Sequence, residues 1–223
     1  MMETFKAEGK KATLYRAKEP GKPLIILNNY DGDGSSVLEE AEKLGGQDFN
    51  LLCVGDLDWN HDMTPWYCPP LSPRDTACTG VADEYLQLLL EEILPECLKR
   101  VDGAPPHIGI AGYSLAGLFA LYALYRTDVF ARAASMSGSL WYPDFREYVF
   151  SHEMKRKPDR LYLSLGDKEA KTRNQYLKTV QENTELIAEH YREAGIDVTF
   201  EMNPGNHFRD AELRSAKGIL AIV

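Results

Sequence analysis

Apolar residues fall along this chain in short unbroken blocks, separated by longer stretches in which they recur every three or four positions. Leu24-Ile25-Ile26-Leu27-Asn28, Phe49 to Val54, the run opening at His107-Ile108-Gly109-Ile110-Ala111, Ala131 to Met136 and Arg160 to Leu165 are the blocks. Each is too short for a helix and suits a strand buried on both faces. Ala12 to Arg16 reads as a short first strand, and Asp197 to Met202 as a last one with alternation. Between them lie helical stretches: Val37 to Leu44 behind a Ser35-Ser36 cap, Gly80 to Leu94 with Pro95 disturbing its end, Leu115 to Tyr125, Asp144 to Glu153, Asn174 to Ala194 stopped by Gly195, and Arg209 to Leu220. Strands alternating with helices imply βαβ units and a mostly parallel sheet covered on both faces, an α/β fold.

One segment breaks this rhythm. Asp56 to Thr79 carries four prolines and two tryptophans and shows no periodicity. Long loops of this kind in compact domains are usually lids or binding walls. With 223 residues the chain is expected to form a single domain, with this loop attached to it. The apolar fraction of 44% and charged fraction of 26% are ordinary for a globular protein, and the net charge of −9 argues against sequence-independent binding to nucleic acid or an anionic membrane. No apolar run approaches the length of a membrane span, and Met1 to Lys11 lacks the apolar core of a secretory signal. Cys53, Cys68, Cys78 and Cys97 are widely spaced, which reads as reduced thiols in a cytoplasmic protein, a Cys68–Cys78 bridge being the lesser alternative.

The chemistry centres on Gly112-Tyr113-Ser114-Leu115-Ala116-Gly117. A serine between a strand and a helix is forced into a tight turn that exposes its hydroxyl at the carboxyl edge of the sheet. Small residues are needed two positions to either side, and Gly112 and Ala116 supply them. The helix starts at the serine, so the Leu115 N–H is free to face a developing oxyanion. A serine hydroxyl needs a base, and His207, in the turn Asn203-Pro204-Gly205-Asn206-His207-Phe208 after the last strand, is placed to serve. Leu165-Gly166-Asp167-Lys168-Glu169 follows another strand and offers two carboxylates, Asp167 and Glu169, to orient that histidine. The chain order serine, acid, histidine is that of an α/β-hydrolase.

Together with Ser137-Gly138-Ser139-Leu140-Trp141, these segments resemble the putative-esterase family of α/β-hydrolases, and in particular its enterobactin (siderophore) esterase branch. The resemblance runs from about Leu24 onward. It implies a three-layer α/β-hydrolase fold with a mostly parallel central sheet. It also implies cleavage of carboxylic esters through an acyl-enzyme, with no cofactor and no metal. In that family the acid stands three residues after the glycine ending its strand, which selects Glu169 over Asp167, although a Ser–His dyad is also known there. The second oxyanion donor comes from the loop after the first long strand, here Asn29 or Tyr30. Trp59, Trp66 and Trp141 are expected to wall an acyl or aryl pocket, and core packing is the competing reading of all three.

The expected partner is a small-molecule ester. A homodimer that covers a Trp-rich loop is a further expectation. Asp31-Gly32-Asp33-Gly34-Ser35 has the spacing of a calcium loop but lacks the glycine at its sixth position, where Ser36 stands. Two rival functions stay open at this level: an acyl thioesterase, and a non-catalytic hydrolase-fold binding protein.

Overall fold

The computed structural model describes residues 2–223. Its centre is an eight-stranded sheet: β1 (Met2–Ala7), β2 (Lys10–Tyr15), β3 (Leu24–Asn28), β4 (Asn50–Gly55), β5 (Ile108–Tyr113), β6 (Arg132–Met136), β7 (Arg160–Gly166) and β8 (Asp197–Asn203), in spatial order β1-β2-β4-β3-β5-β6-β7-β8. The pairs β1/β2 and β2/β4 are antiparallel and all others are parallel. Every residue of β3 and β4 is buried, as expected of strands covered on both faces.

The two covers differ in size. Helices α1 (Ser35–Lys43) and α8 (Ala211–Ile222) lie on one face, where Val37, Ala41, Ala216 and Ile219 pack on Ile25, Leu27, Leu51 and Ala134. The other face carries the short α2 (Trp59–Asp62), which packs on α3 (Ala82–Leu88), and α5 (Leu115–Arg126), α6 (Phe145–Ser151) and α7 (Val180–Glu193), with α5 buried along nearly its whole length. An Ala- and Leu-rich helix without a polar stripe belongs in the middle of such a layer.

Four elements depart from the expectation. The first strand of the sheet is Met2–Ala7, not Ala12–Arg16, which falls in the second. The two are joined by Glu8-Gly9, both at positive φ (46° and 82°), the primed turn that suits a two-residue hairpin. The Ser35-Ser36 hydroxyls do not cap α1. The helix follows Gly34, at φ 88°, and the Asp33 carboxylate accepts the Ser35 N–H at 3.0 Å. Pro95 does not end its helix. A π-turn over Leu89–Ile93 widens the coil just before it, and α4 (Leu94–Leu98) continues beyond. Proline clashes with the carbonyl four residues earlier, Glu91 here, and the wider turn moves that carbonyl aside. The helix expected from Asn174 starts at Val180 after a 3-10 turn at Leu177–Thr179, because the Asn174 side chain holds the Tyr176 and Leu177 N–H groups at 2.9 and 3.1 Å. It stops at Gly195 as expected: Ile196 N–H donates to Tyr191 and Gly195 N–H to Arg192, a Schellman end.

Candidate active site

Ser114 joins β5 to α5 at φ 59° and ψ −123°, a backbone conformation that costs energy for any residue with a Cβ. The turn is fixed from several sides. Ser114 N–H donates to Met136 O at 3.1 Å, and its carbonyl accepts from Gly117, Leu118 and Ser139. A Cβ on Gly112 would lie 2.3 Å from the backbone of Ala116, so strand and helix cross here only because Gly112 has none. The Leu115 N–H, first in its helix, has no acceptor within the described residues.

The loops after β7 and β8 bring the other candidates to this turn. His207 Nε2 lies 3.0 Å from Ser114 Oγ, and His207 Nδ1 lies 2.7 Å from Glu169 Oε2. The imidazole is partly open to solvent, with 29% of its side chain exposed, whereas the Glu169 side chain is 4% exposed. Burial pushes the Glu169 carboxyl upward. The hydrogen bond and charge of His207, the Ser137 hydroxyl and the Gly166 N–H outweigh it and hold the group below the usual carboxylate range. Asp167, the other acidic candidate, turns away and accepts the Gly205 N–H at 2.7 Å, which ties the acid loop to the histidine loop. Tyr113 completes the support by donating its hydroxyl to the His207 carbonyl at 2.7 Å.

Two cavities meet at Ser114 and His207. One, of about 520 Å³, runs under the wall segment 56–79, between Trp59, Leu71, Arg74, Trp141 and Val180. The other, of about 380 Å³, lies on the side of the β3 loop and is bordered by Asn29, Tyr30, Tyr113 and Phe208. Trp59 lines both and Trp141 the larger. Trp66 lines neither. Its Nε1 donates to Pro143 O at 2.9 Å, and its ring packs among Tyr122, Tyr142, Phe145 and Tyr148. The packing reading therefore holds for this one tryptophan. Asn29 also differs from expectation, since its N–H extends the β3/β4 ladder to Val54 O at 2.9 Å. The Tyr30 N–H has no acceptor within the described residues.

The acidic turn at residues 31–35 is organised internally, Asp31 accepting from Gly32 N–H and Asp33 from Ser35 N–H. Cys68 and Cys78 pair through their backbones and are free thiols, as are Cys53 and Cys97. Three residues around Glu169 and Ser114 had no assigned role in the sequence: Ser137, Ser139 and Arg214. The first two lie in the Ser-Gly-Ser segment that carries the family resemblance, and positive φ at Ser137 (45°) shows the turn they form. Nothing in the sequence around Arg214 sets it apart from the surface of an amphipathic helix.

The strained serine turn on β5, with a carboxylate and an imidazole delivered from the carboxyl ends of β7 and β8, is the arrangement of the α/β-hydrolase fold. The chain belongs to the Putative esterase family, whose model matches residues 54–211, and is accordingly a carboxylic ester hydrolase. A curated relative, the uncharacterized protein YbbA of Bacillus subtilis, is 26% identical over 210 residues, covering 87% of this chain and 82% of its own length. Among solved structures, an IroE-like serine hydrolase from Shewanella oneidensis superposes with a TM-score of 0.79 at 15% identity, covering 98% of this chain and 79% of the other. The siderophore hydrolase EstA from Aspergillus nidulans gives 0.72 at 18% identity, with 98% and 92% covered. Among the described residues, no helix is long and apolar enough to cross a membrane.

Proposed function

We propose that this protein is a serine esterase in which Ser114 is the nucleophile, His207 the general base and Glu169 the acid that orients it. The observation that carries the reading is the hydrogen-bonded line Ser114–His207–Glu169, at 3.0 and 2.7 Å, on a strained strand-to-helix turn. Ser114 Oγ attacks the ester carbonyl while His207 Nε2 takes its proton. The resulting oxyanion is met by the N–H groups of Leu115 and Tyr30, since that of Asn29 is spent on Val54. His207 returns the proton to the leaving alcohol, and water repeats the sequence to release the acid. Glu169 stays ionised throughout, holds the Nδ1–H tautomer and stabilises the imidazolium.

The two cavities suit the two halves of an ester, one on either side of the nucleophile. Trp59 and Trp141 give the larger one a flat apolar wall fit for an acyl or aryl group. Arg74 and Asp75 both border it, so the wall carries no excess positive charge. That favours a neutral or weakly charged ester, including an iron-free trilactone of the kind the siderophore-hydrolase neighbours suggest, over a polyanionic ferric complex. The domain is single, with segment 56–79 as a wall of its pocket. Four buried free thiols support a reducing, cytoplasmic setting. A homodimer rests on the exposed Tyr67 of the wall segment, and light scattering tests it.

A fluorophosphonate probe followed by peptide mapping, on wild type and Ser114→Ala, tests the central reading. Labelling at Ser114, lost in the variant, is the expected result. A folded wild type left unlabelled at Ser114 overturns it in favour of a binding protein. A panel of trilactones, p-nitrophenyl esters and feruloyl esters then identifies the substrate.

A further inference from the structure

Among the described residues Arg214 is the largest fully buried side chain, at 1% exposure, although it comes from a helix whose outer face is in water. A guanidinium taken out of water is tolerated only where its charge and its N–H groups are answered. Its Nη1 lies 3.2 Å from Glu169 Oε1, 3.1 Å from Ser137 Oγ and 3.3 Å from the Tyr113 hydroxyl, and Nη2 donates to Pro204 O at 3.1 Å. These contacts reach the end of β5, the turn after β6, the acid loop and the histidine loop at once.

The division of labour at Glu169 follows. Oε1 accepts from Ser137 Oγ at 2.7 Å, Gly166 N–H at 2.7 Å and Arg214 at 3.2 Å, while Oε2 is left to His207. A carboxylate with three donors on one oxygen cannot rotate without losing them, so the other oxygen is aimed. We propose that Arg214 is a positioning residue for ester cleavage: it locks Glu169 in place, so that Oε2 stays aimed at His207, and balances the buried negative charge of the carboxylate. This rests on the triad reading given above.

Few charges surround the imidazole. His207 faces Glu169 directly, and the Tyr113 and Phe208 rings lie 5.4 and 5.3 Å away. Asp167 and the Lys168 N–H are engaged by the backbone of Gly205, Arg209 pairs with Asp210 at the surface, and Glu212 stands across the smaller cavity. Arg214 is therefore the buried cation that answers Glu169 besides an imidazolium. Without it, an imidazolium is the remaining answer to the charge of the carboxylate, and the acid limb of the activity is expected at higher pH.

The test is the pH dependence of Ser114 labelling by a fluorophosphonate, with p-nitrophenyl acetate hydrolysis alongside, in wild type, Arg214→Met, Arg214→Lys, Glu169→Gln and the Glu169→Gln/Arg214→Met double variant. Arg214→Met is expected to move the acid limb up by about one pH unit and to lower the plateau rate about tenfold to a hundredfold. Arg214→Lys keeps the charge and is expected to restore the limb, though not the whole plateau. In the Glu169→Gln background Arg214→Met should add less than about a further twofold, since the two act as one unit. The double variant also guards against misfolding, because it leaves no unpaired buried charge. An unmoved acid limb, or an undiminished loss in the Glu169→Gln background, overturns the proposal. If Arg214→Met does not fold, an acid limb displaced from wild type by about one pH unit in Arg214→Lys, which keeps the charge, overturns it. Absence of labelling in wild type is a different result, because it removes the triad reading itself.

Discussion

Two segments border the same serine and are held in opposite ways. The loops at residues 166–169 and 203–209 are held by charge and hydrogen bonds: Glu169 to His207 and Arg214, Asp167 to Gly205, Tyr113 to the His207 carbonyl. The wall segment 56–79 is held chiefly by shape. Met63 is fully buried, Trp66 sits in a nest of aromatic rings, and Cys68 and Cys78 pair through the backbone. Its polar ties are scattered: Lys10 of β2 to the buried Asp62 carboxylate, Trp66 Nε1 to Pro143 O, the Tyr142 hydroxyl to Trp66 O and the Asn174 amide to Leu71 O. Proton transfer requires donor and acceptor to stay within a few tenths of an ångström, and directional bonds enforce that. A binding wall needs only a contour, which non-directional packing supplies.

The sharpest way to break this contrast is at His207. His207→Ala is expected to lower kcat/KM about 10⁴-fold, roughly 5 kcal/mol of transition-state stabilisation, with the melting temperature little changed. The wall should respond the other way. Trp66→Ala removes a ring from the aromatic nest and is expected to cost about 3–5 kcal/mol of stability in chemical denaturation, while the pH profile of the surviving activity keeps its midpoint. A shifted midpoint in that variant would show that the two segments are not independent. Trp141→Ala, which removes one wall of the larger cavity, should raise KM about tenfold for aryl esters and less for acetyl esters.

A smaller effect separates the two by pH. The Glu169 carboxyl titrates below its unfolded value, so it contributes stability that is full above the unfolded pKa and is lost as pH falls through the folded one. Melting temperatures of wild type should therefore fall more steeply than those of Glu169→Gln below about pH 4. Two parallel curves would contradict the ion-pair description of this loop.

The same contrast explains how much was legible in the sequence. Ser114 and its turn were readable because local sterics demand Gly112 and a small residue at 116, and a short motif records that demand. The buried strands were readable because parallel strands are apolar throughout. Glu169 over Asp167 came from the family resemblance; the residues alone left both open, and the difference lies in which carboxylate the fold turns toward His207. Arg214 is not readable: Ala211-Glu212-Leu213-Arg214-Ser215 looks like any exposed helix, and its burial exists only once the end of β5 and three loops close over it. Trp59 and Trp66, seven positions apart in a segment without periodicity, gave no sign of which would reach the pocket. The β1 strand was missed because its half-buried alternation of small, polar and aromatic residues is weak.

The placement of β3 between β4 and β5 also governs how the chain reaches its fold. Leu24 is registered on one side with Asn50 and on the other with Ile108, so the centre of the sheet closes only after most of the first half of the molecule has been gathered in. Loop closure of that length is entropically costly and makes folding slow. Until it is complete, two largely apolar strands that end up fully buried, β3 and β4, present unpaired edges to other chains. Recombinant yield is then set by a race between sheet closure and self-association, and a lower synthesis temperature or a lower chain concentration favours closure.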